Sequence, residues 1–398
     1  MPEDRAESIG LMEPMRIPES SRFRAGLADL VLELAQKSAG LRRSLPSAIL
    51  PSLSGLVRSM NCYYSNIIEG HDTHPIDIER ALKNDYSQDP RKRNLQLESA
   101  AHITVQKWLD EGGLKTAPTS VAAIREIHRR LYEAVPGDLK SIEDPTTKER
   151  VPIIPGEFRH RDVIVGRHIG VSPGAIPRFL ERFETEFGKL GSSETLLAAA
   201  AAHHRMVWIH PFLDGNGRVV RLMSHATMLQ TLDTGAVWSI ARGLARNVNE
   251  YKSLLANCDI HRRNDLDGSG TLSEEALFDF TQFFLKTCLD QVNFMEQLVQ
   301  PDRLRARILM WVEEEIRMDT LPPKSGNIVE ALLYRGELPR GDVAELVAVG
   351  ERQSRRIVAA LSEKGVVASE SSRAPLRLAF PASLASRWMP GLFPDKIG

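Results

Sequence analysis

A mostly α-helical chain is what this sequence predicts, and three observations carry the prediction. Apolar residues recur at three- and four-residue spacing through most of its length. Strand-like runs are short, and the best of them flank a glycine turn near residue 166. Hydrophobic residues make up 42% of 398 positions, enough for sizeable cores in two or three domains.

Taken in order, residues 1–40 begin polar and Pro-containing and turn helical near residues 23–37. Residues 50–68 are helix-like, and residues 90–110 form another helix with Leu95, Leu97, Ala100, Ile103 and Trp108. In residues 120–133, Val121, Ile124, Ile127, His128 and Leu131 share one face. Residues 178–190 and 194–209 continue the helical pattern. Between these, Asp162-Val163-Ile164-Val165 and Ile169-Gly170-Val171 flank Gly166-Arg167-His168 and read as a β-hairpin, closed by Pro173 and Pro177. Ser273 suits the N-cap of a helix over 274–285. A long helical stretch ends near Arg317, and residues 318–326, with Pro322-Pro323, read as a linker.

A formal net charge of -1 gives no global pull toward nucleic acid or membranes. Cys62, Cys258 and Cys288 have no metal-ligand spacing and form no even framework, so they read as buried thiols in a reducing compartment. There is no N-terminal apolar stretch of signal-peptide type and no run of 18 apolar residues, so no membrane span and a cytoplasmic location are expected.

The most informative stretch is His210-Pro211-Phe212-Leu213-Asp214-Gly215-Asn216-Gly217-Arg218-Val219-Val220-Arg221, a loop that opens a helix near Asn216. Gly215 and Gly217 allow backbone N–H groups to approach an anion, and the helix N-terminus adds unpaired donors. Arg218 and Arg221 lie three apart and can fork phosphate oxygens. Asp214 can hold a Mg²⁺ that bridges phosphates, and His210 can take a proton from a hydroxyl. Phe212 reads as the anchor of the loop in the core.

This run resembles the Fic motif HPFx[D/E]GN[G/K]RxxR at every defined position. The resemblance covers roughly residues 50–300 and implies a helical Fic-type core that moves AMP from ATP onto a Ser, Thr or Tyr hydroxyl of a target protein. It implies His210 as base, Asp214 with Mg²⁺, and an ATP site of Gly215, Asn216, Gly217, Arg218, Val219, Val220, Arg221 and Tyr251. Many relatives carry two tyrosines where this chain has Tyr251-Lys252. The GNGR form points to AMP, since the phosphate-transferring relatives depart from it. Gly156-Glu157-Phe158-Arg159 and the hairpin resemble the family's target-docking flap, which captures a peptide by strand addition. The resemblance also leaves room for a homodimer.

Ser65-Asn66-Ile67-Ile68-Glu69-Gly70 resembles the family's inhibitory motif [S/T]xxxE[G/N]. The implication is that Glu69 forms a bidentate pair with Arg221, the expected γ-phosphate ligand, so that bound ATP cannot adopt a productive pose. Gly70 is expected to end that helix. A third motif, Asp265-Leu266-Asp267-Gly268-Ser269-Gly270-Thr271, looks like a calcium loop, but position 12 is Ala276 and the strongest ligand is absent, so a structural loop is expected.

Residues 325–381 read as a winged helix: helices near 328–334, 341–347 and 351–364, then strands at Gly365-Val366-Val367 and Leu376-Arg377-Leu378. Arg352, Arg355 and Arg356 could face phosphates, yet the region holds eight basic and seven acidic residues, so DNA and protein docking stay about even. The expected domains are 1–110 with the inhibitory motif, 111–317 as the catalytic core and 325–398 as the winged helix. The alternative reading is a DNA-binding regulator whose Fic domain senses nucleotide.

Overall fold

The structure is a computed structural model that describes residues 2–47, 49–71, 73–144, 147–166 and 168–394. Arg167, at the turn of the expected hairpin, and residues 395–398 of the expected C-terminal domain lie outside the described residues.

At the centre lie α7 (Ser192–Ile209) and α8 (Asn216–Thr231), packed against each other and joined by the 210–215 loop. Small side chains explain the close packing: Ala198 to Ala202 are all buried in α7, and Val219, Val220, Leu222 and Met223 fill α8. Helices apolar on most of their circumference are covered on most sides. α1 (Arg24–Ser44) and α11 (Glu274–Val299) pack together and against α7. α6 (Ile176–Phe187) lies on α7, while α5 (Val121–Glu133), N-capped by Ser120, touches α6 and α8.

α2 (Leu50–Glu69) is buried along most of its length between α4 (Pro90–Asp110), α8 and α9 (Ala241–Arg246). A buried polar layer fixes its position. Asp110 of α4 accepts from Arg58 of α2 at 3.0 Å and pairs with His225 of α8 at 2.6 Å. Asn61 of α2 donates to Gln106 of α4 at 2.5 Å and accepts from Ser239 at 2.6 Å. Directional bonds of this kind specify register as well as burial. The helix ends as the sequence predicts: Gly70 is left-handed at φ 81, its N–H reaches Ile67 O at 2.9 Å, and His71 N–H reaches Asn66 O at 2.9 Å.

Several short elements escaped the sequence pattern. α3 (Pro75–Leu82), α9 and α10 (Val248–Asn257) span too few turns to set up a clear period. β1 (Ser141–Glu143) pairs antiparallel with β2 (Arg150–Pro152) in a hairpin of three residues a side. The expected hairpin exists but is shorter than its sequence suggested: β3 (Ile164–Val165) pairs with β4 (His168–Ile169) only. Ile164 and Ile169 face each other across it, both exposed, and just beyond them the Gly170 N–H reaches Val163 O at 3.1 Å. Conversely, α1 runs to Ser44 and α11 to Val299, past the expected ends.

α12 (Pro301–Arg317) leads into α13 (Ser325–Arg335), which starts inside the expected linker. The connection is compact: Leu321 is buried and Thr320 bonds back to Glu315 O at 3.0 Å. Beyond it, β5 (Glu337–Leu338), α14 (Val343–Leu346), α15 (Glu351–Glu363), β6 (Val367–Ala368) and β7 (Leu376–Leu378) form three helices with α13 and an antiparallel sheet ordered β5-β7-β6. α16 (Ala385–Trp388) closes back, its Trp388 packing edge-on to Trp311 of α12 at 5.4 Å. The charge of this region is locally balanced. Arg355 pairs with Glu351, and Arg377 with Glu337 and Glu370. No helix among the described residues is long and apolar enough to cross a membrane.

The acidic loop caps α11. Asp267 is buried and accepts from Arg263 N–H at 3.1 Å, Ser273 Oγ at 2.8 Å and Glu275 N–H at 3.0 Å, while Ser273 Oγ accepts from Ala276 N–H. Asp265 stands in solvent beside Arg262. Asp267→Ala should therefore lower the unfolding free energy by about 1–3 kcal/mol, and Asp265→Ala should leave it unchanged, in chemical denaturation. A stability that rises with added Ca²⁺ and loses that rise in Asp265→Ala would contradict this.

Candidate functional site

α7 ends at His210, whose backbone is left-handed at φ 50, a conformation uncommon outside glycine. The chain then turns through Pro211 to Gly215 and starts α8 at Asn216. Three side chains hold this loop. Asn216, itself buried, accepts from Phe212 N–H at 3.0 Å and donates to Phe212 O at 2.8 Å. Phe212 is fully buried and stacks on His128 of α5, with ring centroids 3.9 Å apart and 6° between planes. Arg159 is the third. Its guanidinium donates to His210 O at 2.8 Å, Arg161 O at 2.7 Å and Val171 O at 2.5 Å, and its own N–H reaches Pro211 O at 2.9 Å. Burial lowers its pKa to about 10, which still leaves a cation at neutral pH. A single buried side chain thus ties the expected flap to the loop.

The His210 ring contacts Val207 O through Nδ1 at 3.2 Å. A carbonyl can only accept, so Nδ1 carries the hydrogen and Nε2 keeps its lone pair. Burial is the main reason the pKa falls to about 4, so the ring is neutral at physiological pH.

Arg218 and Arg221 occupy the first turns of α8, and neither is free. Arg218 lies 3.3 Å from Glu98 of α4, 3.3 Å from Asp214 Oδ2 and 3.0 Å from Tyr132 Oη. Arg221 is buried, with Nε donating to Ser65 Oγ at 2.9 Å and Nη2 to the Glu69 carboxylate. Ser65 and Glu69 are four apart on α2, so both face the same side. The pair has one short contact, through Nη2 and Oε1, in place of the expected two-oxygen fork, because Nε is already spent on Ser65. Burial pushes the Glu69 carboxyl up, but the charge and hydrogen bond of Arg221, with Arg218 behind, outweigh it and hold the group ionised below its usual range. Gly217 is glycine for a steric reason here: a β-carbon on it would sit 2.4 Å from Glu69 Oε1. The carboxylate therefore covers the first turn of α8, where an anion would bind.

Asp214 is also held below the usual carboxylate range. Burial raises its pKa, and Arg218, the Tyr132 hydroxyl and the Gly215 N–H outweigh that. One carboxylate beside an anion-binding turn suits Mg²⁺, which is commonly bound by one or two carboxylates plus phosphates and water. Among the described residues no group of three or more His, Cys, Asp or Glu could form a dedicated metal cage.

Other expected residues sit differently. Val219 and Val220 are fully buried inside α8, and the Val219 N–H is bonded to Gly215 O at 2.9 Å. Tyr251 is buried with its hydroxyl 2.8 Å from His203 Nε2, which packs it in the core beneath α8. Tyr132 and Glu98, both at the arginines, were not singled out from the sequence. Tyr132 follows Leu131 on an amphipathic stripe, where an aromatic reads as core.

Residues 118–228, which include this loop, match the Fic/DOC family model. Over this stretch the chain is thus similar to Fic/DOC proteins. It is distantly similar to the proteins named protein adenylyltransferase Fic from Drosophila erecta and Drosophila melanogaster, 28% identical to each over 223 residues. That alignment covers 53% of this chain and 42% of those relatives, less than half their length. The fold is like that of a Fic family protein from Desulfovibrio desulfuricans, with a TM-score of 0.51 at 15% identity over 92% of this chain and 98% of that one.

Because Arg159 serves three loop and flap carbonyls, Arg159→Met should cost about 3 kcal/mol or more through orphaned acceptors. Thermal unfolding of the two chains would show it. An unchanged midpoint would mean the loop does not depend on Arg159.

Proposed function

We propose that the protein transfers AMP from ATP to a hydroxyl of a target protein, and that Glu69 restrains it. The observation that carries the reading is the joining of a neutral His210, with a free Nε2, to an anion-binding turn that holds Asp214, Arg218 and Arg221. The target oxygen attacks the α-phosphorus, the bond to the β-phosphate oxygen breaks, and pyrophosphate leaves. His210 Nε2 takes the hydroxyl proton. The N-terminus of α8 and the two arginines lie where charge builds on the departing phosphates. Mg²⁺, bound through Asp214, would supply charge neutralisation between the phosphates. His210 lies beside the flap, whose exposed Ile164 and Ile169 offer an edge for an extended target segment.

The restraint follows from the arginine. While Glu69 holds Arg221, a γ-phosphate cannot take its place there. Glu69→Gly should raise transfer of label from α-labelled ATP to lysate proteins or to the chain itself, by about a hundredfold if the blocked pose is worth roughly 3 kcal/mol. Adding Arg221→Ala should remove that gain. A Glu69→Gly chain no more active than wild type would refute the restraint, and no transfer by either chain would refute AMP transfer itself.

His210→Ala in the Glu69→Gly chain should abolish transfer while ATP still binds. The pH behaviour has a definite sign. A histidine lowered to about 4 is neutral above that value, so the acceptor form is lost only as pH falls through about 4. An NMR titration of the His210 ring in the nucleotide-free chain should show its midpoint there. A midpoint near the ordinary value, about 6.5, would contradict the half-buried, neutral base.

A further inference from the structure

Tyr132 lies at the last turn of α5, and its hydroxyl is at the centre of the site. It donates to Asp214 Oδ2 at 2.5 Å and accepts from Arg218 Nη2 at 3.0 Å. Arg218 reaches the same Asp214 oxygen at 3.3 Å. Oδ2 therefore carries two donors, while the Asp214 side chain keeps 46% of its surface open. The ring cannot drift. His128 packs on it with centroids 4.7 Å apart, and the Arg218 guanidinium sits 5.5 Å from its centre. The loop is built around it as well. Gly215 is left-handed at φ 79, and a β-carbon there would lie 2.8 Å from Tyr132 Cε2 and 2.9 Å from its hydroxyl.

We infer that Tyr132 is a positioning residue that fixes Asp214 as a one-oxygen metal ligand and so favours Mg²⁺ over Ca²⁺ in the nucleotide complex. The inference rests on the proposed function. The two donors on Oδ2, with the Gly215 N–H also bonded to the carboxylate, restrain its rotation and leave Oδ1 the oxygen with more lone-pair capacity for a cation. A single fixed oxygen matches the octahedral demand of Mg²⁺, whereas Ca²⁺ accepts looser and two-oxygen carboxylate binding. Groups that orient a ligating carboxylate in this way commonly change metal affinity by about 10- to 100-fold when removed.

The test uses the full-length chain with Glu69→Gly and His210→Ala, in which the arginine is released and chemistry is silent. ATP binding is measured by calorimetry with Mg²⁺, with Ca²⁺ and in chelator, with and without Tyr132→Phe. That change removes the hydroxyl and keeps the ring. Affinity for ATP with Mg²⁺ should fall about tenfold, ATP in chelator should bind as before, and the preference for Mg²⁺ over Ca²⁺ should narrow. An unchanged affinity with Mg²⁺, or an equal fall with and without metal, would overturn the role of Tyr132 alone. A parent chain that binds no ATP in any of the three conditions would overturn the proposed function and this inference with it.

Discussion

A buried guanidinium must have acceptors for its N–H groups, and Arg221 is such a group. It sits in the core between α2 and α8, where an unpaired charge would cost several kcal/mol. Ser65 and Glu69 meet that demand, and in doing so they join the N-terminal helices to the region that matches the Fic/DOC model. On the function proposed above, a phosphate of bound ATP would compete with the Glu69 carboxylate for Arg221. The polar layer of Arg58, Asn61, Gln106, Asp110 and His225 keeps α2 in the register that delivers Glu69 to this point.

The loop itself is over-determined. Asn216 ties both ends of its turn to Phe212, His128 stacks beneath Phe212, and Arg159 satisfies carbonyls on the loop and on the flap side at once. This explains how His210 can be held with a left-handed backbone, a strain that persists only where surroundings enforce it. It also means that the hairpin side and the 210–215 loop share a buried cation, which fixes the hairpin relative to His210.

Much of this was legible in the chain. The α7–loop–α8 arrangement follows from an apolar run, a loop with two glycines and a second apolar run. The meeting of Ser65 and Glu69 with Arg221 follows from the resemblance of two motifs, since no local pattern links residues so far apart. What stayed hidden had physical reasons. Tyr132 and Glu98 act through single atoms at the ends of side chains whose spacing reads as ordinary helix face. The reach of Arg159 depends on a fold that brings Val171, Arg161 and His210 together. Tyr251, expected near adenine by resemblance, is buried with its hydroxyl on His203. The hairpin was overextended: the ladder holds only two residues a side, and Val171, read as strand, is buried outside it.

The central claim is that Glu69 and a γ-phosphate compete for Arg221. The most direct measurement is a pair of crystal structures with ATP and Mg²⁺, one of the wild-type chain and one of Glu69→Gly. The γ-phosphate should lie on Arg221 in the variant and be displaced from it in the wild type, with Glu69 still on the arginine. The same phosphate pose in both chains would contradict it.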